Sequence, residues 1–219
     1  MQNNNLLKKA ILALLLCMAT PCVNAQVAHI GDILCTTGVY VSPVEFDDSG
    51  LEAMGVIFYV DATGQHGWAV ALEDAGSYGW GSVSFDTPLT NFDNNNPSGK
   101  RAVIYDLNGL FNTQEVLNYG TNNGCSYPAF EALDVTNGWY LPAIGQLNYL
   151  YGNLVEVNAG LAVADGMIFD MTSNWSYWSS TEYGFQHAWY LKSSGNIYVQ
   201  WKEVSSTTSA LRVRGVHNF

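Results

Sequence analysis

Short runs of β-branched and aromatic residues at both ends of the chain enclose a middle stretch whose apolar residues recur at helical spacing. That order restricts the fold more than any single motif. Strands, then helices, then strands belong to the α+β class; the regular alternation of an α/β protein is missing. At the front, Ile30–Leu34 and Val39–Ser42 flank Thr36-Thr37-Gly38 and predict a hairpin. Gly55–Val60 and Trp68–Leu72 predict an antiparallel pair. Both are apolar on both faces, which places them inside a sheet, not at its edge. Trp175–Ser180, Ala188–Ser193, Ile197–Lys202 and Leu211–Val216 read as four further strands. Between these sets, residues 74–101 are rich in glycine, proline and asparagine and read as a long surface loop.

The middle predicts two to three helices. Asn112 is placed to cap the first, with Glu115 three residues on, and Gly120 to end it. Ser126 and Pro128 open a second that carries Phe130 and Leu133. Pro142 starts the third, where Ile144, Leu147, Leu150, Tyr151 and Leu154 form an apolar face. It either continues or breaks at Gly152 toward Val157 and Leu161.

The compartment follows from the first 25 residues. Lys8 and Lys9 precede an apolar run over residues 10–19, and Val23-Asn24-Ala25 supplies the small residues of a cleavage site. This reads as a signal peptide over 1–25, leaving 26–219 as a single domain. The apolar run is shorter than the ~20 residues of a membrane-spanning helix, and no later stretch is apolar enough to span a bilayer. A secreted, periplasmic or outer-surface location is expected. The whole chain carries a formal charge of −11, and without the two leader lysines the mature part is more acidic still. No basic patch relieves that charge, which excludes nucleic acid as a partner. Aromatics (13%) outnumber charged residues (12%), a balance that suits a packed core and not a disordered tail.

Two cysteines remain after processing, Cys35 and Cys125. In an oxidising compartment they are a candidate disulfide, whose loop of ~90 residues would contribute roughly 4–5 kcal/mol on the chain-entropy argument. The alternative is two separate thiols.

Chemistry-bearing residues are sparse. Ser179, Ser180 and Thr181 precede His187, but no serine sits in a G-x-S-x-G elbow. His29, His66, His187 and His217 lack metal-ligand spacing, and Asp93-Asn94-Asn95-Asn96 departs from a calcium loop at Pro97 and Ser98. No cofactor and no enzymatic activity are expected. Tyr183, Phe185, His187, Tyr190, Tyr198, Gln200 and Trp201 gather aromatic and hydrogen-bonding groups into one short region. With Trp189, Leu191, Ile197 and Val199 inward, alternation turns Tyr190, Tyr198 and Gln200 outward, as in a tyrosine-rich binding surface.

Several motifs stand in a telling order: Gly31-Asp32-Ile33-Leu34, Gly55-Val56-Ile57-Phe58, Asn137-Gly138-Trp139-Tyr140-Leu141-Pro142, Tyr177-Trp178-Ser179-Ser180-Thr181-Glu182, Ala188-Trp189-Tyr190-Leu191 and Arg212-Val213-Arg214-Gly215-Val216. Together they resemble the Fibrobacter-type major paralogous domain family, whose relatives have the C-type-lectin-like and formylglycine-generating-enzyme-like fold. The resemblance implies a C-type-lectin-like mixed fold with short antiparallel strands. It does not carry over calcium-dependent sugar binding or formylglycine chemistry, because the E-P-N or W-N-D residues and the C-terminal cysteine pair are missing. Physically the motifs read as scaffold: Trp139, Leu141, Trp178 and Trp189 bury large areas, and Arg212 and Arg214 pair with an acid such as Glu182. The expected function is an exported, non-enzymatic, adhesin-like module presenting its C-terminal aromatics to a protein or glycan at the cell surface. A structural envelope or fimbria-associated subunit is the alternative, and a hydrolase or oxidase of the same fold the less favoured one.

Overall fold

A computed structural model describes residues 27–82, 103–203 and 210–219. The leader read over 1–25, the acidic loop at 93–96 and most of the stretch 74–101 lie outside those residues.

Two five-stranded sheets share the molecule. The first has the order β10-β4-β3-β1-β2, from β1 (Ile33–Cys35), β2 (Tyr40–Val41), β3 (Ala53–Val60), β4 (Gly67–Ala71) and β10 (Val216–Asn218), all antiparallel. Of its three interior strands, β3 and β4 are the two that read as apolar on both faces. Val56, Phe58 and Val70 enter the main core with Ile33, while Ile57 and Ala69 face a smaller cluster with Leu34 and Tyr40. That division is the two-residue period of a strand with both faces covered.

The second sheet has the order β5-β9-β6-β7-β8, from β5 (Gly76–Tyr78), β6 (Ser176–Gly184), β7 (His187–Lys192), β8 (Ile197–Trp201) and β9 (Leu211–Val213). Only the β6·β9 contact, Tyr177 opposite Arg212, is parallel among the described residues. The run read as one strand, Leu211–Val216, is two: β9 belongs to one sheet and β10 to the other, and the chain crosses between them at Arg214 and Gly215. The α+β class is as expected.

The helices number five among the described residues, not two to three: α1 (Pro43–Ser49), α2 (Gly109–Asn123), α3 (Pro128–Glu131), α4 (Ile144–Gly152) and α5 (Leu154–Val163). The two short ones, α1 and α3, are each led by a proline at the first turn. The third predicted helix breaks after Gly152, yet its apolar face continues: Leu147 and Leu150 of α4 and Leu154, Val157 and Leu161 of α5 enter one core. Asn153, at the break, donates through Nδ2 to the Phe58 carbonyl of β3 (3.0 Å). Gly160 of α5 lies against Gly31 so closely that an added Cβ would strike the Gly31 carbonyl, which seats the helix on the first sheet.

The first predicted helix is shifted. Asn112 does not cap it; it is fully buried inside α2, which begins after Asn108. Gly120 does not end it either; Gly124 does, at φ 65° with its N–H bonded to the Gly120 carbonyl. Cys35 and Cys125 are both free thiols, so the candidate disulfide is corrected to two separate cysteines. Cys35 ends β1 and is buried in the first sheet, where desolvation raises its pKa; Cys125 follows α2 beside the cluster around Trp80 and Tyr127. No described helix is long and apolar enough to cross a membrane.

Candidate functional site

The motif at the centre of β6 is an interior bolt. Ser179 donates to the Trp189 carbonyl (2.7 Å), and the Ser179 carbonyl accepts from Trp80 Nε1 (2.7 Å). The Ser180 N–H donates to the Pro142 carbonyl (2.8 Å). Thr181 donates to Asp106 Oδ2 (2.8 Å) and accepts from the Ile144 N–H (2.9 Å). Asn112 Nδ2 bridges Asp106 Oδ2 (3.0 Å) and Ser180 Oγ (3.3 Å). These groups tie β6 to the start of α4, to α2 and to Asp106. All are buried, and buried polar groups must find such partners.

His187 takes no part in this network. It stands opposite Gly184, four residues along β6 from Ser180, or roughly 13 Å at strand rise. Burial first, and the nearby Lys202 ammonium second, hold its imidazole below the ordinary value of 6.5. Its ring lies tilted against that of Trp201, with centroids 4.7 Å apart and the planes at 53°. A serine nucleophile with His187 as its base does not assemble. Among the described residues, no three His, Cys, Asp or Glu side chains gather as a metal site.

Two charged anchors complete the scaffold. Lys202, just past β8, pairs with Glu182 of β6, and both side chains are fully buried, the ammonium lying 4.8 Å from the Trp80 ring centroid. Arg214 is 2% exposed and donates to the Ala71 carbonyl (2.9 Å) and the Leu72 carbonyl (2.6 Å). The acid beside Arg212 and Arg214 is Asp74, at 3.4 and 3.8 Å, not Glu182. Tyr177 also donates to Asp74 (2.8 Å). Of the motif tryptophans, Trp178 and Trp189 are buried as expected, while Trp139 is only half-buried beside His217.

The seven aromatic and polar residues of the C-terminal region divide between the two faces of the β6-β7-β8 sheet. Cross-strand pairing puts His187 opposite Trp201 and Tyr190 opposite Tyr198, with Gln200 opposite Ala188. Odd positions share the face of Trp189 and Leu191 in the main core; there Tyr183 packs edge-on against Trp189 (5.4 Å) and near His187 (6.1 Å). Even positions share the other face, where Tyr190 packs near Trp178 (6.1 Å) and Tyr198 (6.0 Å), and Lys192 lies over Tyr198. Phe185 (49% exposed) sits in the β6–β7 turn, and Tyr198 (41%) and Trp201 (50%) on β8. Tyr183, His187, Tyr190 and Gln200 are half-buried. No single face unites the seven. What Tyr198, Gln200 and Trp201 share is β8, the outermost strand.

β8 is five residues long and has β7 on one side only. The Lys202 N–H donates to the Gln186 carbonyl (2.9 Å) and the Lys192 N–H to the Asn196 carbonyl (3.0 Å). Antiparallel alternation then directs the backbone groups of Ile197, Val199 and Trp201 away from the sheet. Among the described residues nothing pairs with that edge.

No protein-family model matches the sequence, and no curated protein matches it. Among solved structures, the chain is similar to a fimbrial protein from Bacteroides ovatus ATCC 8483, with a TM-score of 0.61 and 18% identity, over 88% of this chain and 49% of that one. The chain thus spans about half the length of that protein, and the likeness is one of fold.

Proposed function

We propose that this chain is a non-enzymatic subunit of a fimbria-type assembly at the bacterial cell surface, joined to its neighbour through β8. The observation that carries this is the outer edge of that strand, with which nothing pairs among the described residues. A free edge is a template for a further strand and is normally blunted by charge, proline or a bulge. Here Ile197, Val199 and Trp201 bring neither charge nor proline to it, and the large side chains of Tyr198 and Trp201 are exposed beside it. The fold likeness to a fimbrial protein supports the same reading. So does the use of the β6 hydroxyls and Asn112 in internal bonds, which engages those hydroxyls away from His187. Within the α+β class, the order of motifs favours a C-type-lectin-like arrangement. An exported, surface-attached location agrees with the leader-like start of the sequence.

The double substitution Val199→Pro with Trp201→Asp removes one outward N–H and adds a charge at the edge, while the even-numbered positions keep their bonds to β7. In cells expressing the variant, sheared surface filaments are expected to contain about tenfold less of this protein than wild-type filaments do, with unchanged circular dichroism. Wild-type incorporation would contradict docking through β8, and absence of the wild-type protein from the filament fraction would contradict the assembly role itself.

A further inference from the structure

A second concave site lies away from β8, where the start of α2 meets the β4–β10 edge of the first sheet. Its cavity of about 270 Å³ is built by Trp68, Asn108, Phe111, Gln114 and Asn218 over a floor containing Tyr140 and Gln146. That volume is just below the ~300 Å³ at which drug-sized pockets begin, room for a small ligand. No charged side chain lines it. Phe111 is 55% exposed, and Trp68 is braced from behind by Tyr59, nearly parallel at 4.2 Å, with Tyr149 at 5.9 Å.

The polar groups are all neutral, and they are held ready. Gln146 Nε2 donates to the Tyr140 hydroxyl (2.9 Å), which donates to Asn218 Oδ1 (2.6 Å). Gln146 is itself fixed, its Oε1 accepting from the Ala143 N–H (3.0 Å). This relay occupies the Asn218 carbonyl oxygen and leaves its Nδ2 without a protein acceptor among the described residues. The side-chain amides of Asn108 and Gln114, both exposed, likewise have no partner among the described residues.

We propose that this pocket binds a neutral saccharide. A sugar ring offers one face of C–H groups, which suits the flat rings of Trp68 and Phe111. It also offers hydroxyl pairs that donate and accept together, which suits side-chain amides able to do both. An apolar ligand would leave the three amides buried and unsatisfied, a penalty that sites built this way turn into selectivity. An anionic ligand would find no cationic side chain. Binding needs no calcium, since no carboxylate lines the site. None of these residues belongs to β8, so this site and the assembly edge are separable by mutation.

Saturation-transfer difference NMR on the full mature chain tests the proposal, with methyl β-D-glucopyranoside, methyl α-D-mannopyranoside, methyl β-D-galactopyranoside and N-acetyl-D-glucosamine as probes and N-acetylneuraminic acid as the charged comparison. At least one neutral glycoside should receive saturation on its ring protons, with millimolar affinity that EDTA leaves unchanged. Trp68→Ala, and separately Asn108→Ala with Gln114→Ala, should weaken that affinity about tenfold or more. The exposed amide pair carries the test if the Trp68 variant is poorly folded. Silence from every neutral glycoside, equal affinity in the amide variant, loss of binding with EDTA, or tighter binding of N-acetylneuraminic acid would overturn it.

Discussion

Replacing Lys202 with methionine is expected to destabilise the fold by about 3–5 kcal/mol, because it removes one member of a fully buried ion pair and takes the Lys202 ammonium away from the Glu182 carboxylate. Methionine keeps most of the stem packed near Trp80, so lost volume is a minor part of the effect. For a domain of this size that corresponds to a fall in melting temperature on the order of 10 °C. The companion substitution separates charge from packing. Lys202→Met combined with Glu182→Leu removes both ions and should recover most of the loss, since a well-packed apolar pair often matches a buried ion pair. Denaturant unfolding of the three proteins checks this. A single variant within about 1 kcal/mol of wild type would mean that the pair is not buried as described.

The second large effect is at Arg214. Its guanidinium spans the corner where the chain leaves β9 and enters β10, and it holds the Ala71 and Leu72 carbonyls of the strand running alongside. It also lies 4.4 Å from the Phe169 ring centroid. Arg214→Ala strips donors from two carbonyls and a cation from beside Asp74, and a loss of about 3–5 kcal/mol is expected. Arg214→Lys keeps the charge but not the planar fork, so an intermediate loss is expected. Equal stability of the lysine variant and wild type would show that charge alone, without the forked geometry, joins the sheets.

How far the sequence foretold this fold depended on whether a residue's partner lay nearby in the chain. β3 and β4 were legible because Val56, Ile57, Phe58, Ala69 and Val70 are apolar without alternation, the mark of strands covered on both sides. β5 was not, since Gly76-Ser77-Tyr78 has no pattern of its own and pairs only because β9 runs beside it. Asn112 resembled a cap because asparagine so often is one; its burial depends on Asp106 and Ser180, and topology alone brings Ser180 to it. The acid for Arg212 and Arg214 was misassigned for the same reason. Asp74 precedes β5 and Glu182 sits on β6, and only the sheet order decides between them.

For the candidate site, strand parity placed Tyr190, Tyr198 and Gln200 together on one face, and that is where the pairing puts them. The same parity already assigned His187 and Trp201 to the opposite face. A single contact surface made from all seven residues was therefore at odds with the sequence itself. Nothing in the sequence marked β8 as an edge, because its apolar residues suit an interior strand equally well. The saccharide pocket was invisible, since its walls come from β4, the start of α2, the segment before α4 and the last strand.

Hydrogen exchange at β8, compared between the free subunit and sheared filaments, tests the central claim most directly. The amides of Ile197, Val199 and Trp201 should exchange freely in the isolated chain and become protected in the filament, while those of Tyr198 and Gln200, already bonded to β7, are protected in both. Equal, rapid exchange of the three outward amides in both states would contradict assembly through this edge.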